Sequence, residues 1–262
     1  MLLVIDVGNS HTVLGVMKDG EVHQRWRIST IARSTDELGL LILQLLAHRG
    51  IAAADVDGVC LSCVVPSVLY AFEKASRRYL NQDALVVGAG TRTGMRVRTD
   101  NPREVGADRI VNAISAYARY NVAVVVVYFG TATTFDCVND RGDYIGGAIA
   151  PGFHVSADAL FARAAKLPKV EVERTAQVIG ANTVAAMKAG LFWGYVGLVN
   201  ELARRCKAEL RAAEGTPRCI ATGGMANLVG RACDEIEAVD EHLTLRGLQI
   251  IYERNRARSG RK

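Results

Sequence analysis

An internal repeat limits this chain more than any other feature. Residues 4–21, VIDVGNSHTVLGVMKDGE, lie over residues 126–143, VVYFGTATTFDCVNDRGD, at an offset of 122 and without a gap. Gly8 meets Gly130, Thr12 meets Thr134, Val16 meets Val138 and Gly20 meets Gly142. Each copy reads as an apolar strand, a small-residue turn, a second strand and a Gly-bearing hairpin. A third strand follows in each, over 21–29 and 143–149. Two β-β-β units about half a chain apart predict two similar lobes.

Helical stretches alternate with strands after each unit. Ser34 reads as an N-cap with Glu37 at the capping-box position, and Gly50 closes that helix. Residues 56–65 read as a strand and 67–80 as a helix. Asn182 caps a long helix running from 183 towards 210, and CIATGG then gives a strand ending in Gly223 and Gly224. This order predicts an α/β protein of two duplicated lobes, each a mixed sheet flanked by helices, with an active-site cleft between them. The boundaries fall at 1–116 for the first lobe and 117–248 for the second, with 249–262 as a helix end and basic tail. GxGxxG is absent, which argues against a dinucleotide fold.

At 262 residues and 50% hydrophobic, the chain can bury one large core or two moderate ones. Net charge is +5, and part of the excess lies in the tail from Arg254 to Lys262. That tail reads as a solvated end rather than a nucleic-acid site. A basic balance suits anionic substrates. No stretch approaches the roughly 20 apolar residues that span a bilayer. The N-terminus lacks the basic region of a signal peptide. Six cysteines then read as reduced thiols of a cytoplasmic protein. Cys60 and Cys63 form a CxxC on a strand, where residues three apart face opposite sides and do not share a metal.

The two turns carry the candidate chemistry. Gly8, Asn9, Ser10 and Thr12 in one, and Gly130, Thr131, Thr133 and Thr134 in the other, combine backbone N–H groups with hydroxyls. Such turns can cradle phosphate oxygens, although each alone is also compatible with an ordinary hairpin. Asp6 would repel a phosphate directly, so its expected role is to hold a hydrated Mg²⁺. The repeat predicts an acid opposite Asp6 in the second copy, and the chain has Tyr128 there.

DVGNSHTVLG, NPREVGADRIVNA, FGTATTFD, GGAIAPG, AAKLP, NTVAAMKAGLFWGYVG and ATGG occur in this order. Together they resemble the type III pantothenate kinases, of the acetate and sugar kinase, heat-shock and actin superfamily, over essentially the whole chain to about Leu248. The resemblance implies duplicated ribonuclease H-like lobes and ATP-dependent phosphorylation of pantothenate, the first step of coenzyme A synthesis. It also implies Mg²⁺, a monovalent cation such as K⁺ or NH₄⁺, and a homodimer. Asp108 in Gly106-Ala107-Asp108-Arg109 matches the catalytic base, and Arg109 offers a fork for the substrate carboxylate. Asp6, Val7, Gly8, Asn9, Ser10, His11, Thr12 and Val13 correspond to the first ATP-phosphate segment. Thr131 matches an ATP contact and Thr183 a substrate contact, while Gly223 and Gly224 resemble adenosine-side glycines. The helix 182–205 carries Phe192, Trp193 and Tyr195, and it or its neighbours are expected to be covered by a second subunit.

Three positions depart from the family pattern. Ser10 and His11 replace Thr and usually Asn. Thr99 stands where many members place a substrate-contacting tyrosine. Tyr128 replaces the acid that holds the monovalent cation, and a phenol is neutral at pH 7. The chain is therefore read as an active kinase with altered cation dependence, or as a weak or inactive homologue acting as a ligand-binding regulator or interaction protein. Retention of Asp6, Asp108, Arg109, Thr131 and Thr183 favours the enzyme.

Overall fold

The computed structural model describes residues 1–164, 167–210 and 216–259. Part of the AAKLP motif and the last three residues of the basic tail lie outside them. The chain forms two compact units. The first holds Met1–Met95, Asn101–Ser115 and the described residues from His242 onward; the second holds Arg96–Asp100 and Ala116–Glu241.

The first unit is built on a five-stranded sheet of β1 (Leu2–Val7), β2 (His11–Lys18), β3 (Glu21–Ser29), β4 (Gly58–Cys63) and β5 (Ala84–Val86). Their order is β3-β2-β1-β4-β5. β1 runs antiparallel to β2 and parallel to β4, as a hairpin and a helical crossover respectively require. Strand side chains alternate between faces. Leu3, Ile5, Val7, Leu14, Val16 and Leu61 pack on one face against α1 (Thr35–Ala47) and α2 (Pro66–Leu80). α1 starts at the predicted capping box: Glu37 N–H donates to Ser34 Oγ at 3.2 Å, and Ser34 N–H donates to the Glu37 carboxylate at 2.8 Å. Cys60 pairs with Val4 and Cys63 with Val7, so the CxxC thiols do face opposite sides.

The opposite face of this sheet meets α6 (Leu243–Ser259), whose Leu245 lies against Gly15. α6 also packs on α3 (Ala107–Tyr120): Gly247 lies against Val111, and Thr244 Oγ1 donates to Asn112 Oδ1 at 2.7 Å. The sequence reading put residues 242–248 in the second lobe and 249–262 in a tail; the structure places α6 in the first unit instead. These contacts join residues more than 130 positions apart, which no local pattern announces.

The second unit repeats the plan with β6 (Val124–Phe129), β7 (Ala132–Val138), β8 (Tyr144–Pro151), β9 (Arg218–Gly223) and β10 (Ala238–Val239), in the order β10-β9-β6-β7-β8. Val125, Val127, Phe129, Phe135 and Cys137 pack against Phe192, Tyr195, Val196 and Val199 of α5 (Thr183–Leu210). Asn182 caps α5 as predicted, accepting from Ala185 N–H at 2.9 Å. A shorter helix, α4 (Phe153–Arg163), follows β8. Residues 96–98 extend the β8 edge, with Arg98 N–H donating to Tyr144 O at 2.8 Å.

The ladder registers refine the repeat. Val7 pairs with Thr12, but Phe129 pairs with Thr133. The second turn is therefore one residue shorter than the first, and Thr133, not Thr134, stands where Thr12 stands. Identical residues at 12 and 134 had concealed the gap. Among the described residues no helix is long and apolar enough to cross a membrane.

Candidate active site

Residues paired across adjacent strands share a face. One row of the first sheet therefore reads Ser62, Asp6, Val13, Arg27, on the face away from the α1/α2 core. The matching row of the second sheet reads Thr222, Tyr128, Thr134, Ile149. The first row carries a carboxyl and a guanidinium; the second carries neither.

Asp6 is only 5% exposed, and its Oδ1 accepts a hydrogen bond from Ser62 Oγ. Burial pushes its carboxyl up to about 7, the Ser62 bond opposes that rise, and the charge of Asp108 adds to it. Ser62 was missed in the sequence because its register opposite Asp6 exists only once β4 is in place. Asp108 sits in the first turn of α3. Burial raises its carboxyl as well, opposed by the Arg109 backbone N–H and the Arg109 charge. Gly106 leaves room for this group, since a Cβ there would lie 2.6 Å from Asp108 Oδ1. With Ala107 half-buried beside it, the segment 106–109 presents one carboxyl and one guanidinium from a helix start.

The first turn exposes the side chains of Asn9, Ser10 and His11. Gly8 N–H closes the turn on His11 O at 3.1 Å. Val7 and Thr12 are buried, and the Thr12 hydroxyl is bonded to Thr30 Oγ1 at 2.9 Å. Val13 is half-buried in the Asp6 row. In the second unit the same pattern holds. Thr133 is bonded to the Tyr195 hydroxyl, and Thr134 donates to Asp136 at 2.9 Å. Thr131 alone among these turn threonines is exposed. Gly223 has φ +99° and lies against the backbone of Phe129, so a side chain there would be both strained and obstructed. Residues 224–229 form turns that lead into a short 3-10 helix, Gly230–Ala232.

The Tyr128 ring rests on Gly130, where a Cβ would lie 2.5 Å from Cε1. The Thr99 Oγ1 is buried without a hydrogen-bond partner. Thr183 is exposed at the start of α5. The first unit thus brings together Asp6, the 8–11 turn and the 106–109 segment, while Thr99, Tyr128, Thr131 and Thr183 belong to the second. Among the described residues no group of three His, Cys, Asp or Glu could cage a metal. Asp6 nonetheless fits a hydrated divalent cation, which uses one or two carboxylates plus substrate phosphates and water. Burial first, and the charge of Asp108 after it, make its ionisation unfavourable without a nearby positive charge.

The type III pantothenate kinase family profile matches residues 2–205. The chain is 52% identical to the type III pantothenate kinase of Geobacter sulfurreducens over 98% of this chain and 100% of that protein. It is also 52% identical to the type III pantothenate kinase of Myxococcus xanthus, again over 98% and 100%. Among solved structures, the activator of 2-hydroxyisocaproyl-CoA dehydratase from Clostridium difficile with bound ADPNP matches at TM-score 0.53. That match is 12% identical and covers 99% of this chain and 97% of that one. That likeness shows a shared fold, and the two units of this chain repeat one sheet order.

Proposed function

This chain belongs to the type III pantothenate kinases and catalyses ATP-dependent phosphorylation of pantothenate, and we propose how its residues divide that work. The observation that carries the assignment is the placement of two carboxyls, Asp6 buried and Asp108 half-buried, with an exposed polar turn in one unit. Asp108 takes or orients the proton of the pantothenate hydroxyl as its oxygen attacks the terminal phosphorus. Burial makes Asp108 a better proton acceptor than a solvated carboxylate. Arg109 receives the pantothenate carboxylate. Asn9, Ser10 and Thr131 contact phosphate oxygens, with backbone N–H groups of the turns. Asp6 would hold Mg²⁺, which when bound offsets phosphate charge. Thr99 and Thr183 contact pantothenate; the unpartnered Thr99 hydroxyl supports that reading.

At position 128 the residues present do not fit a carboxylate-held monovalent cation. A neutral phenol supplies one oxygen and no charge. The kinase therefore works with little dependence on K⁺ or NH₄⁺. A homodimer is supported by exposed apolar residues of the second unit, among them Ile149 at 65% exposure on edge strand β8 and Ile179 at 89%. Phe192 and Tyr195 are buried in their own unit's core, so any covered surface lies on the neighbours of α5 rather than its aromatic stripe. Six free thiols suit a reducing cytoplasm.

The test is pantothenate-dependent ADP production with and without K⁺ or NH₄⁺. Turnover that needs pantothenate and ignores the cation is expected. Tyr128 is the feature favouring an inactive homologue, and that reading would give ATP binding with no ADP formed.

A further inference from the structure

Arg27 is not used in the assignment above, yet it shares the row and face of Asp6, two strands away. At about 4.8 Å between strands, its Cα stands roughly 10 Å from that of Asp6. The next row, at Gly15 and Val4, is closed by Leu245 of α6. The Arg27 guanidinium instead reaches along the edge towards the open 8–11 turn. Its Nη2 lies 3.0 Å from Nδ1 and 3.1 Å from Nε2 of His11. A guanidinium has donors only, so it meets His11 as a donor and keeps its other N–H groups for an acceptor. Among the described residues Arg27 has no carboxylate within ion-pair distance.

The second unit shows that the fold does not demand a cation at this place. The equivalent position on β8 is Ile149, apolar and exposed. The site on the first sheet, however, needs positive charge. The unit already holds the carboxyls of Asp6 and Asp108, and a nucleotide polyphosphate brings further negative charge to the turn. We propose that Arg27 is a positioning residue for phosphoryl transfer, its guanidinium contacting the terminal phosphate oxygens of the nucleotide at the 8–11 turn while His11 holds it there. The proposal rests on the kinase assignment. It adds a nucleotide-length specificity to this unit: a triphosphate reaches Arg27 and a monophosphate does not.

An edge strand also carries charge to discourage pairing with other strands. That role would be filled equally by lysine and would not distinguish nucleotides. The deciding experiment is calorimetric titration of wild-type, Arg27→Gln and Arg27→Lys protein with ATP, ADP and AMP in Mg²⁺, alongside KM for ATP and for pantothenate. Loss of a charge-assisted, two-pronged contact corresponds to roughly 10- to 100-fold. Arg27→Gln should weaken ATP by that factor, ADP by less and AMP not at all, with KM for pantothenate unchanged. Arg27→Lys should recover part of the ATP affinity. Equal weakening for all three nucleotides, or a shift in KM for pantothenate, overturns the proposal. Unchanged ATP affinity in Arg27→Gln, with a wild-type enzyme that turns over, overturns the Arg27 role alone. A wild-type protein that binds no ATP overturns the kinase assignment and this proposal together.

Discussion

Asp6 and Tyr128 occupy the same place in two sheets of the same order, each on the first strand, each paired with a hydroxyl residue on the parallel neighbour. Their surroundings differ in charge. Around Asp6 the row continues to Arg27 and lies near Asp108; around Tyr128 it continues to Thr134 and Ile149. The buried threonines Thr12 and Thr133 behave alike in both, each spending its hydroxyl on an internal partner. Duplication thus preserved an inward threonine at the start of each second strand, while in the row of the first-strand residue only the first copy carries an acid and a guanidinium. A fold can keep a turn in both halves while only one of them has a carboxyl beside it on the first strand.

The comparison breaks most severely if Asp108 is dispensable. Asp108→Asn should leave folding and nucleotide binding intact and lower kcat by roughly two to four orders of magnitude. Near-normal turnover in a folded variant would remove the base from the first unit.

Asp6→Asn against Tyr128→Phe compares the two rows directly. The first should lower kcat/KM by roughly 10- to 1000-fold, because a charged group facing phosphate chemistry is lost. The second removes only a neutral hydroxyl and should stay within about threefold. Equal losses, measured as ADP formation under matched Mg²⁺, would show that both rows are chemical.

Stability sharpens the same contrast. The carboxyl of Asp6 sits near 7 in the native state against 3.8 unperturbed. Between those values the native state keeps a proton that the unfolded state has released. Stability therefore falls as pH rises through that window and levels off above about 7. Urea melts without divalent cation should show the wild type losing on the order of 2 kcal/mol relative to Asp6→Asn between pH 5 and 8. Parallel pH profiles would mean that Asp6 is not held in a protonated state.

The smallest effect is expected at position 128. Tyr128→Asp should introduce activation by K⁺ of roughly two- to tenfold, since a carboxylate adds charge and a second oxygen. Strong K⁺ activation of the tyrosine form would place the ion on another group. Cation-independent rates in both forms would mean that this position does not govern an ion here.

Much of this architecture was legible along the chain, because strands and capped helices are written in short-range patterns. The box at Ser34 and Glu37, the cap at Asn182 and the opposed faces of Cys60 and Cys63 need only local spacing. The candidate acids, Asp6 and Asp108, stood inside motifs for the same reason. The hidden deletion in the second turn was not legible. Equivalent threonines sat at 12, 133 and 134, and only the ladder register distinguishes them.

By itself, then, the sequence determined two duplicated α/β units, the helix starts and the position of an acid in one copy opposite a tyrosine in the other. Each follows from periodicity or from one stretch laid over another. Only the tertiary structure decided that α6 returns to the first unit, that Ser62 and Arg27 share a row with Asp6, and that Thr12 and Thr133 turn inward. Those facts depend on which distant strands pair and on which face each side chain emerges. Pairing across a sheet is set by burial of whole faces, a property of the assembled layers that no single segment contains.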